Sequence, residues 1–195
     1  MRRSGFFINA AVLAVVMGLA GCGPKIAGLK VDSSFTAKAL RQGKIAVGGV
    51  ASALGDLDKS SSITFGNLLR TQIIEEGENL NVTSVGAVAN RMGNSEYKNL
   101  INEFGRTGEI GPDGLNRLKD TIQGVRYFVF ARIEQDDVIK NRRRETQTDR
   151  KGKIVSRSMR VEVTRTVSAT IAIYDVLSGK TVWSANISAN KINQS

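Results

Sequence analysis

The sequence predicts a single layered α/β domain: a mixed sheet whose C-terminal three strands form an antiparallel meander packed against helices. Three observations predict it. An unalternating apolar run, Lys44–Val50, is followed by residues at helical spacing. Tyr97, Leu100, Ile101 and Phe104 fall at i, i+3, i+4 and i+7, one stripe of a helix facing a core. The last third of the chain reads in twos, over Arg157–Val176 and again after Ser178-Gly179, as half-buried strands do. Strands that alternate with helices and then follow one another directly give an α/β layer architecture.

Taken in order, the chain opens with Met1-Arg2-Arg3 and an apolar stretch, Phe6–Ala20. A basic head before a run too short for a comfortable membrane span is a signal-peptide plan. Leu19-Ala20-Gly21-Cys22 at its end resembles the bacterial lipobox. That resemblance implies a cut before Cys22, diacylglycerol on its sulfur, and a palmitate-type acyl chain on the new amine. Residues 1–21 are then the leader. Gly23 after the cysteine resembles an outer-membrane address, facing the periplasm. Residues 22–42 read as a lipidated tether without sustained periodicity, and residues 43–195 as the domain.

Within the domain, Lys44–Val50 reads as a buried strand. Ser62 reads as the N-cap of a helix running to Glu76, with Phe65, Leu68, Leu69 and Ile73 inward and Gly77 as its stop. Leu80–Val85 is expected as a second strand and Ala87–Met92 as a short helix. Ser95 is expected to cap the helix carrying the Tyr97–Phe104 stripe. Pro112 opens another, with Leu115, Leu118 and Ile122 inward and Gly124 closing it. Val125–Ile139, Arg157–Val176 and Lys180–Lys191 are the three strands of the meander.

Composition narrows the chemistry. The 195 residues contain no histidine and one cysteine, with a formal charge of +10. The commonest general base and metal ligand is absent, and no cysteine cluster for zinc or iron–sulfur is possible. No cofactor, metal or enzymatic activity is expected. Asp56/Asp58, Glu75/Glu76/Glu78 and Asp136/Asp137 lack a metal-loop pattern and read as turns or solvated faces. Gly48-Gly49 lacks the rest of a phosphate-binding motif and reads as close packing.

The charge is concentrated. Lys140, Arg142, Arg143, Arg144, Arg150, Lys151, Lys153 and Arg157 share one segment with only Glu145 and Asp149 to offset them. Flanking alternation makes the segment a hairpin with its tip near Asp149–Gly152. It is either a contact for an anionic lipid, an acidic polymer or an acidic envelope protein, or a solvated loop that keeps strand edges apart. An exported chain is not expected to meet nucleic acid.

Several stretches together carry a wider resemblance: KIAVGGV, then EYKNLINEFGRTGEIGPDGLNRL, GVRYFVFARIEQ and IAIYDVLSGKTVWSANISANK. They resemble the family of periplasmic domains shared by the curli secretion-channel subunit (CsgG) and the penicillin-binding-protein activator lipoprotein (LpoB), related to the N-terminal domain of TolB. The hairpin from Tyr174-Asp175-Val176 through Ser178-Gly179-Lys180 to Val182-Trp183-Ser184 is its most specific piece. The resemblance implies a non-enzymatic, lipid-anchored envelope protein that docks to other envelope proteins, as an accessory of secretion, assembly or cell-wall synthesis. It also raises the alternative of a homo-oligomeric ring subunit of a curli-type apparatus. The departures bear on that alternative: the segment Lys140–Ser158 is too charged to face lipid tails as a barrel strand, and a second barrel hairpin has no counterpart. The expected tether is also short, with one proline, unlike the long Pro-rich reach of the activator.

Labelling of the cells with radioactive palmitate tests the anchor. The full chain is expected to incorporate label, and Cys22→Ala to incorporate none.

Overall fold

A computed structural model describes residues 24–55, 57–77, 80–148, 150–152 and 154–194. The lipobox residues Leu19, Ala20, Gly21 and Cys22 lie outside them, as do Asp56, Glu78, Asp149, Lys153 and the side chains of Glu145 and Arg157. Among the described residues no helix is long and apolar enough to cross a membrane.

Six strands form one sheet in the order β1-β6-β5-β4-β2-β3. They are β1 (Lys25–Val31), β2 (Lys44–Ser52), β3 (Val82–Thr83), β4 (Val125–Thr148), β5 (Ile154–Asp175) and β6 (Lys180–Gln194). β2 runs parallel to β3 and β4, and the β4-β5-β6 meander is antiparallel. The sheet is therefore mixed, with the expected C-terminal meander. The helices are α1 (Ala37–Gln42), α2 (Lys59–Glu76), α3 (Val85–Met92), α4 (Asn94–Thr107) and α5 (Pro112–Thr121).

β2 lies between β4 and β3 and is apolar on both faces; every residue from Ile45 to Ala51 is buried. The paired glycines in it answer to packing. A Cβ on Gly48 would fall on the Phe130 ring, and one on Gly49 would strike Ile101 and approach the Tyr97 hydroxyl. Phe130 in turn meets Phe104 of α4 at 5.3 Å and Tyr174 at 5.9 Å between ring centroids. The Tyr174 hydroxyl accepts a bond from the Ile110 N–H at 3.2 Å. Phe128, Phe130 and Tyr174 thus mark the sheet face that carries α4 and the loop into α5. The expected Tyr97–Phe104 stripe and the Leu115, Leu118 and Ile122 set are all buried there.

Three boundaries differ from expectation for local reasons. Asp58, not Ser62, caps α2, accepting the Ser61 N–H at 3.0 Å. Ser62 is buried, and its hydroxyl donates to the Val50 carbonyl at 2.7 Å. The inward face of α2 is then Ser62, Gly66, Leu69 and Ile73, whereas Phe65 and Leu68 are 44% and 60% exposed. Small residues at 62 and 66 let the helix approach closely: a Cβ on Gly66 would sit 2.9 Å from Val85 Cγ1. The strand expected over 80–85 contracts to Val82–Thr83, because Ser84 caps α3 by accepting the Ala87 N–H. α4 starts at Asn94 after Gly93, whose φ of 80° replaces a side-chain cap, so Ser95 lies inside the helix.

The largest correction concerns residues 25–42, expected as tether. β1 pairs antiparallel with β6 from Lys25 opposite Ser188 to Val31 opposite Trp183. Asp32 then accepts an ion pair from Lys180 at 2.8 Å, and its backbone N–H donates to the Val182 carbonyl. Phe35, 5% exposed, packs edge-on against Tyr127 at 5.4 Å. Tyr127 alternates with Phe128, so Phe35 and α1 lie on the face opposite α4. Residues 25–42 therefore belong to the folded unit rather than to a tether. Periodicity concealed it because β1 is an edge strand: Ile26 is half-buried while Lys25, Leu29 and Lys30 are exposed.

Urea unfolding distinguishes these faces. Phe35→Ala is expected to cost about 3–4 kcal/mol, the usual loss for a buried phenylalanine. Phe65→Ala, on the outer face of α2, is expected to change stability by less than about 0.5 kcal/mol.

Candidate functional site

The β4–β5 hairpin is the feature the charge distribution singles out, and its lower half is part of the core. Tyr127 pairs with Asp175, Val129 with Ile173 and Ala131 with Ile171. At the base, Asp175 is buried and takes a bidentate contact from Arg126, with Nη2 at 2.7 Å. Burial by itself would raise the Asp175 carboxyl. The Arg126 hydrogen bonds and charge, with the Leu177 and Ser178 N–H groups, outweigh it and hold the carboxyl below its ordinary 3.8. The same carboxylate fixes the turn into β6: its Oδ1 accepts the Leu177 N–H at 3.0 Å, and Gly179 completes the turn at φ 68°. The motif quoted from the sequence is thus a charge-pinned corner, with Trp183 buried beyond it.

Higher up, Arg132 reaches back to the Gly105 carbonyl at 2.8 Å and pairs with Glu134, which also accepts from Thr170. Above this level the sheet narrows. β2 leaves β4 after Ser52 opposite Ile133, and β1 leaves β6 after Lys25 opposite Ser188. β6 follows β5 as far as Gln194 opposite Glu162. From there to Thr148 and Ile154, among the described residues, only β4 and β5 are paired. The sixteen residues from Ile133 to Thr148 span about 50 Å at a rise of ~3.3 Å per step. The exposed Asp136–Arg165 pair, at 2.6 Å, ties the two strands midway, and the Arg165 hydrogen bonds hold the Asp136 carboxyl below its ordinary value.

The register decides which basic residues act together. Lys140 lies opposite Val163, Arg142 opposite Val161 and Arg144 opposite Met159, all on one face. Arg143 lies opposite Arg160 on the other, beside Asn141 and Glu162. Arg150 and Lys151 are in the turn, with Gly152 at φ 79°. Lys140, Arg142, Arg143, Arg144, Arg150 and Lys151 are all exposed.

Sequence reasoning missed that the hairpin is also apolar. Met159 through Ile173 read as one core-like face, yet only its lower end is covered. Ile173 is buried, Val161 and Val163 are half-exposed, and Met159 is 56% exposed. Val138, Ile139 and Ile154 are exposed as well. The available signal was that the period-two apolar pattern continues through the basic segment, past any predicted helix able to cover it.

A concavity of about 560 Å³ lies at the C-terminal end of β2, lined by Ala51, Ser52, Gly55, Ile101, Glu103 and Arg106 among others. Among the described residues no three His, Cys, Asp or Glu side chains are placed to hold a metal. Among the described residues the buried Tyr97 phenol has no hydrogen-bond partner, and burial pushes it up to about 12, so it keeps its proton.

No family model matches the chain, and neither does any curated protein sequence. Among solved structures it is similar to a variant of the PelC dodecamer from Paraburkholderia phytofirmans, with 15% identity and a TM-score of 0.41 over 86% of this chain and 81% of that one. The LpoB C-terminal domain from Salmonella enterica is similar with 11% identity and a TM-score of 0.42, over 84% and 88%. The PelC dodecamer in another crystal form gives 15% identity and a TM-score of 0.37, over 86% and 82%.

The Asp175–Arg126 corner gives a pH-dependent prediction. A carboxyl held below its unfolded value adds stability above that value and loses it as pH falls through the folded one. Asp175→Asn is expected to lower stability at neutral pH by about 2 kcal/mol, at the low end for a buried pair because Arg126 is partly solvated. Urea midpoints between neutrality and strongly acidic pH should fall less steeply in the variant than in the parent.

Proposed function

We propose that this is a lipid-anchored, non-enzymatic cell-envelope protein that works by docking, with the projecting β4–β5 hairpin as its contact surface. The single observation that supports the reading is the placement of the charge. Six of the eight basic residues read from the sequence are described and exposed, on a ribbon standing clear of the helices that cover the rest of the sheet. Lys140, Arg142, Arg143 and Arg144 have no acidic partner among the described residues. Arg150, Lys151, Lys153 and Arg157 belong to the same surface in this reading. Like charges at such density repel one another, and an anionic counterpart relieves that repulsion.

The lipid on Cys22 would hold the chain at the outer membrane, facing the periplasm, as an accessory in secretion, assembly or cell-wall synthesis. A ring of copies is the second reading. What favours it is the outer edge of β4 beyond Ile133, which has no strand beside it among the described residues.

Arg142, Arg143 and Arg144 replaced together by Gln provide the test. The parent is expected to bind envelope fractions in a salt-sensitive manner and the triple variant to lose that binding. Salt-sensitive binding left unchanged in the variant sinks the reading. Light scattering on the detergent-solubilised chain is expected to give a monomer; a stable ring at every concentration favours the second reading.

A further inference from the structure

We infer that the hairpin lies along the anionic lipid surface to which the chain is anchored, seating the face of Lys140, Arg142 and Arg144 on it. This rests on the proposed lipid at Cys22. Two independent observations lead to it.

The first is direction. β1 begins at Lys25 opposite Ser188 and ends at Val31 opposite Trp183. β6 ascends from Lys180 toward the hairpin, with Ser188 opposite Ser168 and Gln194 opposite Glu162. β1 therefore descends, and its first residue is at the end nearer the hairpin tip. Cys22 is three residues before Lys25, a reach of at most ~10 Å. Folding of residues 25–42 into β1 and α1 thus removes the slack of a twenty-residue tether. The chain enters β1 at the end of the sheet from which the hairpin projects.

From the Ser168 level to Ile154 the hairpin runs fourteen residues, roughly 45 Å. A ribbon that long, pointed straight into the bilayer, would carry Lys140, Arg142, Arg143 and Arg144 through a hydrocarbon core about 30 Å thick, where each such charge is costly. Lying along the surface keeps the anchor seated and the charges among headgroups.

The second observation is the chemistry of the face. Across the strands, Lys140 meets Val163, Arg142 meets Val161 and Arg144 meets Met159. Each rung offers a cation and an apolar side chain, and Ile154, 45% exposed, adds an apolar contact beside Arg150 and Lys151 at the turn. Cations for phosphate beside apolar groups at the acyl boundary are what an interfacial element needs. The opposite face sets Arg143 against Arg160 and carries Glu162, which an anionic surface would repel. An acidic protein would use the charges but leave the apolar partners without a role.

The test uses the full lipidated chain in vesicles. Ile154→Cys supplies a thiol for an NBD label, since Cys22 is blocked by lipid. On phosphatidylethanolamine vesicles containing phosphatidylglycerol, emission is expected to shift to the blue and return at high salt. On vesicles of phosphatidylcholine alone no shift is expected. K140Q/R142Q/R144Q should lower the seated-to-free ratio roughly a hundredfold, and R143Q by less than about fivefold, at about 1 kcal/mol for each cation near the surface. K140R/R142K/R144K should retain seating, which separates charge from any effect on folding. Equal emission on both lipids overturns the inference, and so does a loss in R143Q as large as in the triple variant. A shift produced on phosphatidylcholine by added polyglutamate overturns it in favour of an acidic polypeptide. If the unlabelled parent fails to float with vesicles at all, the anchor falls instead; a chain that floats while its probe ignores anionic lipid overturns the seating alone.

Discussion

One antiparallel pairing, β4 with β5, supports the rest of the molecule. Its lower rungs, Tyr127–Asp175 to Ile133–Ala169, form the middle of the sheet, against which β2 and β6 are laid. Beyond a register shift between Ile133 and Gln135 its upper rungs continue as the projecting basic ribbon. The pairing register therefore sets core and surface together. A slip of one residue would exchange the faces everywhere, moving Phe128 and Phe130 out of the helix layer and Lys140, Arg142 and Arg144 to the opposite side of the ribbon.

What holds the register is concentrated at the base. The Asp175 carboxylate is buried against Arg126 and also bonds the turn into β6, so strand pairing and turn geometry are fixed by one charge. Phe130, set between Gly48, Phe104 and Tyr174, allows one position of β4 relative to β2 and α4. Toward the tip these constraints give way to the exposed Asp136–Arg165 pair and the ladder itself. Burial falls from complete to slight along a single element. This gradient suits a part that is anchored at one end and offers its side chains at the other.

Much of this was legible in the residues. The Tyr97–Phe104 stripe, the buried Lys44–Val50 run, the Pro112 helix start and the Ser178-Gly179 turn depend on contacts within a few positions, which local spacing records. The N-terminal strand was not legible, because β1 buries little of its own and exists through bonds to β6, more than 150 positions away in sequence. The inward face of α2 was misread for a related reason. Leu68 and Phe65 look like core by composition, yet Ser62 and Gly66 permit the closer approach to Val50 and Val85. The basic residues of the hairpin were legible as a cluster, but their division into faces was not.

By itself the sequence determined the fold class, the order of most elements, the absence of histidine chemistry and the concentration of positive charge between Lys140 and Arg157. Those properties follow from residue type and short-range period. Only the tertiary structure decided that residues 25–42 belong to the domain, that β1 enters the sheet at the end nearer the hairpin, and that Lys140, Arg142 and Arg144 share a face with Met159, Val161 and Val163. The physical reason is that strand neighbours are chosen by hydrogen bonds between distant segments. A period of two states which residues share a side of one strand, but not which strand lies beside it.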